Sequence, residues 1–210
     1  MGDIVVENIT EVSDLQLDVL REIGNIGSGH AATALAKLLN QKVDIKIPKA
    51  ELCAFRDLPE VVGGAENIVV GILLTLSQDI NGMMMFIMER KPAINLVKKL
   101  MWTEIDENAE LTEMQLSALQ EIGNIITGAY LSSLSDLTHL TIQASVPYIA
   151  IDMAGAILSV PAIEFGKLGD NALLIEAEFS DGNDEDDING YFLLIPTIES
   201  YNAIMTSLGL

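Results

Sequence analysis

Glu22 with Asn25, and Glu121 with Asn124, are two acid–amide pairs set in the same five-residue string, Glu-Ile-Gly-Asn-Ile, at 22–26 and 121–125. Neither residue type is a nucleophile of the Ser or Cys kind. A carboxylate and an amide supply two oxygen ligands, too few for a complete Mg²⁺ or Ca²⁺ site. His30 and His139 fall at non-equivalent places, so no His accompanies both pairs and each reads as structural. The pair suits a substrate that brings its own metal and leaving group. An aspartyl phosphate is a reactive mixed anhydride, whose hydrolysis needs a positioned water more than a strong base. An amide can accept a hydrogen bond from that water and orient it. A carboxylate three residues away can anchor a basic group of the partner.

A helix must present these residues together. At about 100° per residue, Asp18, Glu22 and Asn25 fall within about 60° of one another, with Gly29 on the same line. The second stripe is Ser117, Glu121, Asn124 and Gly128. The opposite side of the first helix carries Leu20, Ile23, Gly27, Ala31, Ala34 and Leu38, an apolar face for a core. A plain solvated face is the alternative reading of the stripe, and three features oppose it. Asn competes for backbone hydrogen bonds inside a helix. Gly24, Gly27 and Gly29 each cost roughly 1 kcal/mol against Ala. Both unfavourable choices return at Gly123, Asn124 and Gly128. Gly24 and Gly27 fit close packing on the core side, whereas Gly29 and Gly128 lie on the exposed line, where a missing side chain admits another protein's backbone.

The repeat extends well past the motif. At an offset of 99, Gln16-Leu17, Leu20, Gly29, Leu35 and Pro48 fall on Gln115-Leu116, Leu119, Gly128, Leu134 and Pro147. At an offset of 108, Asp79-Ile80-Asn81-Gly82 falls on Asp187-Ile188-Asn189-Gly190, the extra nine residues lying around the acidic stretch 181–186. Each half reads as a long helix (about 14–40, about 112–138), a strand ended by proline (about 42–47, about 140–146), a strand pair (about 67–76 with 82–88, about 172–179 with 190–195) and a closing helix (about 92–101, about 197–208). Ser13 or Asp14 and Thr112 are the expected N-caps. Residues 154–159 show no clean period. Sheet edges left bare by separate halves favour one joined sheet. The expectation is an α+β fold: a single pseudo-twofold domain over 1–210, internally duplicated as about 14–101 and about 112–208, with the motif helices packed on a largely antiparallel sheet.

Composition narrows the function classes. Against 31 acidic residues stand 11 basic ones, a net charge of −20. Nucleic acid needs clustered Lys and Arg, so that partner is excluded, and an anionic membrane surface fits as poorly. The charge suits a basic protein surface or solubility in a salty cytoplasm. Half the residues are hydrophobic, enough for a packed body. The single cysteine, Cys53, rules out an internal disulfide and a multi-cysteine metal site, and reads as a small buried hydrophobe. The first seven residues lack a basic start and an apolar run, no stretch approaches the ~20 apolar residues of a spanning helix, and a cytoplasmic location is expected. The acidic loop 181–187 has no glycine at the sixth position, where a calcium-binding EF-hand loop needs one, and reads as a long solvated hairpin connection. Gly24-x2-Gly27-x-Gly29 has neither the spacing nor the strand-to-helix position of a dinucleotide fingerprint.

The pattern Asp/Ser-x3-Glu-x2-Asn-x22-Pro is met twice, at Asp18, Glu22, Asn25, Pro48 and at Ser117, Glu121, Asn124, Pro147. It resembles the CheC / CheX / FliY family of chemotaxis phosphatases, over about 14 to 208. The resemblance implies hydrolysis of the aspartyl phosphate of CheY-P, the phosphorylated response regulator. Asn25 and Asn124 would orient the attacking water and Glu22 and Glu121 would meet the regulator's active-site Lys. Asp18 and Ser117, with Gly29 and Gly128, would act as supports. It implies no cofactor of the chain's own, Mg²⁺ being held by the regulator, and CheD, a receptor-modifying deamidase, as a second partner. Internal duplication supplies the twofold a homodimer would otherwise provide, so a monomer is expected. The competing class is a non-catalytic adaptor that binds CheD or the flagellar switch. A FliY-type switch protein would need a further assembly domain, and a FliM-like middle domain would not be expected to keep both Glu–Asn pairs.

Overall fold

The two motif helices begin with the same device. Ser13 Oγ accepts from the Gln16 N–H at 3.3 Å while Gln16 Oε1 accepts from the Ser13 N–H at 2.8 Å, starting α1 (Asp14–Leu39). Thr112 and Gln115 repeat the exchange at 3.4 and 2.8 Å to start α4 (Glu113–Thr138). These reciprocal caps satisfy two of the donors that a helix start leaves open. Each helix ends on a left-handed residue, Asn40 (φ 51°) and His139 (φ 57°), whose N–H turns back to the Ala36 or Ser135 carbonyl. His139 is thus a helix terminator and His30 an exposed helix residue. The computed structural model describes residues 12–106, 109–165, 171–180 and 188–210, so the reading of loop 181–187 lies outside the described residues.

The remaining elements are β1 (Asp44–Lys46), β2 (Ala50–Ala54), α2 (Leu58–Val61), β3 (Ile68–Gln78), β4 (Gly82–Glu89) and α3 (Arg90–Met101), then β5 (Ile142–Ala144), β6 (Tyr148–Met153), α5 (Ala154–Phe165), β7 (Asn171–Ser180), β8 (Ile188–Pro196) and α6 (Ile198–Ser207). They form one eight-stranded antiparallel sheet in the order β1-β7-β8-β4-β3-β5, with β2 also on β7 and β6 also on β3. The register carries the duplication. Ala50 pairs with Ile175, and its counterpart Ile149 pairs with Ile72. Across the middle, Met85 pairs with Leu193, Met84 with Leu194 and Phe86 with Phe192, so the pseudo-twofold axis passes between β4 and β8.

Both faces of that sheet are covered. Met84, Phe86 and Met88 of β4 join Leu20, Ile23, Leu35, Leu119, Ile122 and Tyr201 in one core beneath the motif helices. Met85 and Ile87 point the other way, into a smaller core with Leu58, Ile157 and Leu158. A strand buried on both faces reads as an unbroken apolar run, as Met83–Met88 does. Helices α1 and α4 meet where Gly27 lies on α4: a Cβ there would stand 2.9 Å from the Tyr130 Cα and 3.1 Å from the Ala129 carbonyl oxygen. Gly24 packs on Ile47, and Gly123 on Ile72.

Three readings change. The buried stripe of α1 runs through Leu20, Ile23, Gly24, Gly27, Ser28, Ala31, Leu35 and Leu39, whereas Leu38 is 37% exposed and Ala34 half-buried. Successive steps of four turn the contact line past Ala34 and Leu38 along a helix this long. Residues 154–165 form α5, with Ala154, Ile157, Leu158 and Pro161 buried at helical spacing. Exposed Val160 and Ile163 hide that period by making the outer side apolar too. Strands β2 and β6 follow the prolines, as mixed-polarity edge segments with little alternation. Cys53 is half-buried in β2, its thiol pushed up in pKa chiefly by burial, so it is no activated thiolate.

Candidate functional site

Helix α1 turns Asp18, Glu22, Asn25 and Gly29 to solvent while Ile23 and Gly24 between them are buried. In α4, Ser117, Glu121, Asn124 and Gly128 are exposed around buried Ile122 and Gly123. Each predicted stripe is therefore brought together on one ridge, while α1 and α4 pack against each other through the side of α1 that carries Gly27, away from its ridge. Beyond each Asn the helix is bare: a Cβ at Gly29 or Gly128 would have nothing within 4 Å among the described residues. Core packing does not require glycine at either place.

The supports differ between copies. The Asp18 carboxylate pairs with Arg21 at 3.0 Å. Ser117 Oγ donates to the Glu113 carbonyl at 2.9 Å, an ordinary helix back-bond. The chain leaving the short strand also reaches each ridge. The Ile47 N–H donates to Asn25 Oδ1 at 3.2 Å, and Gln120 Nε2 donates to the Pro147 carbonyl. Sequence reasoning did not assign these contacts. The signal for them was the fixed Asn-x22-Pro spacing, since a residue before proline is held extended and can lay its N–H along the helix.

The chemistry open to the ridges is limited and specific. A Glu and an Asn in the middle of an exposed helix can enter a partner's cleft and offer it one anion and one amide. Among the described residues no three His, Cys, Asp or Glu gather as a metal site, and no helix is long and apolar enough to cross a membrane.

Comparison with known proteins bears directly on this arrangement. A model of the CheC-like family matches residues 15–51 and 114–151, one segment for each motif helix and the short strands after it. The chain is 36% identical to the CheY-P phosphatase CheC of Bacillus subtilis, over 94% of its own length and 96% of that protein's. The chain belongs to the CheC-like family. The chain is also 29% identical to the flagellar motor switch phosphatase FliY of Bacillus subtilis, over 70% of this chain but only 38% of that protein. The crystal structure of Thermotoga maritima FliY superposes with a TM-score of 0.73, covering 93% of this chain and 98% of that one at 21% identity. That likeness concerns the fold: helices on a largely antiparallel sheet, internally duplicated.

Proposed function

We propose that the chain is a chemotaxis phosphatase that hydrolyses the aspartyl phosphate of a CheY-type response regulator. The observation that carries the reading is the doubled Glu–Asn ridge, exposed on both motif helices and followed each time by an unobstructed glycine. It is joined by 36% identity to a CheY-P phosphatase over nearly the full length of both proteins.

The reaction needs little from the chain beyond placement. Water attacks phosphorus, the bond from phosphorus to the Asp carboxylate oxygen breaks, and inorganic phosphate and a free Asp carboxylate result. Asn25 or Asn124 accepts a hydrogen bond from the attacking water and holds it in line. Glu22 or Glu121 pairs with a Lys of the regulator, fixing the depth of entry. Gly29 and Gly128 let the regulator's backbone approach the helix. Mg²⁺ held by the regulator neutralises charge on the phosphoryl group. The reading includes CheD as a second partner, a monomeric state and a cytoplasmic location.

The test is phosphate loss from the phosphorylated cognate regulator in Mg²⁺, with and without the chain. A clear acceleration at substoichiometric chain is expected. An unchanged decay, with tight CheD binding by the same preparation, favours the adaptor role instead.

A further inference from the structure

The two motif copies match in sequence, yet their surroundings differ. In the first, the carboxamide oxygen of Asn25 is engaged by the Ile47 N–H at 3.2 Å. The counterpart of Ile47 is Val146, and the side chain of Asn124 has no hydrogen-bond partner among the described residues, its backbone carbonyl alone accepting from Thr127 Oγ1 at 3.4 Å. The side chains diverge in the same way. Ile47 is 4% exposed and closes on Gly24, whereas Val146 is 82% exposed. The Ile47 side chain after β1 lies on α1 beside the amide, whereas its counterpart after β5, Val146, is turned to solvent. The tie of that second segment to its helix is one turn earlier, from Gln120 to Pro147. In the first copy the Gln120 position is Arg21, which turns to Asp18 instead.

A water attacking phosphorus needs an acceptor for its proton, and only the oxygen end of an Asn amide accepts. An Asn oxygen has two lone pairs; the Ile47 N–H takes one and fixes the direction of the Asn25 carboxamide, leaving only the second for water. We infer that the Ile47 N–H is a latch on the first site, holding the Asn25 oxygen in a direction set by the chain leaving β1 so that it orients water less readily, while the Asn124 carboxamide can turn to the water. Ile47 is in this sense a positioning residue, acting through Asn25. The inference rests on the phosphatase reading above and deepens it, by assigning most of the turnover to the Glu121–Asn124 ridge. A net neutral hydrogen bond shifts an equilibrium by about two- to tenfold, which sets the expected inequality.

The experiment compares Asn25→Ala and Asn124→Ala in the phosphate-loss assay, with amide hydrogen exchange read on the free protein. Asn124→Ala should slow the accelerated rate by about three- to tenfold, and Asn25→Ala by less than twofold. The Ile47 N–H should exchange more slowly than the Val146 N–H, and Asn25→Ala should remove that difference. Equal losses, a larger loss for Asn25→Ala, or an Ile47 N–H that exchanges as fast as that of Val146 overturns the latch while leaving the phosphatase reading intact. A wild-type chain without any acceleration removes the phosphatase reading and the latch with it.

Discussion

Glu22 and Glu121 are the residues for which the account asks most of a single charge. In the proposed function each anchors a cation of the partner, and a charge-assisted hydrogen bond of this kind contributes about 1.5–3 kcal/mol. The double substitution Glu22→Gln with Glu121→Gln should therefore lower kcat/KM for the phosphorylated regulator about ten- to a hundredfold, chiefly through KM, in steady-state assays. A fall in kcat alone would assign the carboxylates to chemistry rather than docking. Tyr130 makes a separate claim. Its hydroxyl is buried with no hydrogen-bond partner among the described residues, and burial pushes its pKa well above the ordinary value of 10. The folded state then keeps a proton that the unfolded chain releases above about pH 10, so this group's contribution to stability is intact below that pH and is lost as pH rises beyond it. Tyr130→Phe should raise stability by about 1 kcal/mol in urea unfolding and lessen the alkaline decline. Of these residues, the sequence alone showed the Glu–Asn pairs, because helical spacing and repetition are written in the chain. It did not show the Ile47 latch or the partnerless Tyr130 hydroxyl, because both depend on which segment folds against the helix.

At the scale of the element, the motif helices carry glycines of two different kinds. Gly27 is needed by the α1–α4 contact, where the Tyr130 backbone leaves no room for a Cβ. Gly29 and Gly128 face open space, so their presence weakens the helix with no gain inside the protein. Gly29→Ala with Gly128→Ala should raise stability by about 1 kcal/mol per site, read as an upward shift of Tm. The same variant should turn over the regulator more slowly, since two methyl groups then stand where its backbone must approach. Greater stability with full activity would contradict that role. The helices, the proline-ended strands and both hairpins were legible because periodicity and turn residues agree there. Helix α5 was not, since Val160 and Ile163 give its solvent side the same apolar character as its buried side. Strands β2 and β6 owe their form to pairing with β7 and β3, a long-range cause that no local pattern reports.

For the whole molecule, duplication explains both the sheet and the paired sites. Joining β4 to β8 places the pseudo-twofold axis at the centre of the sheet and leaves the short strands of each half at opposite ends of it. The offset repeat made that symmetry visible in the chain before any coordinates, whereas the choice of which strands meet at the axis rests on burial of both sheet faces. The net charge of −20 acts at this scale as well. Self-repulsion among exposed carboxylates opposes the compact state and is screened by salt. Raising NaCl from about 0.05 to about 0.5 M should lift Tm by a few degrees; a lower Tm in salt would show that attractive surface pairs dominate instead.

The central claim is that Asn25 and Asn124 orient the attacking water, and the Asn25→Ala, Asn124→Ala double variant tests it most directly. Its helices and caps should be intact by circular dichroism, and the phosphorylated regulator should still bind through Glu22 and Glu121. The account predicts that phosphate loss in its presence falls to the regulator's unassisted rate. A double variant that accelerates hydrolysis as the parent chain does would contradict it.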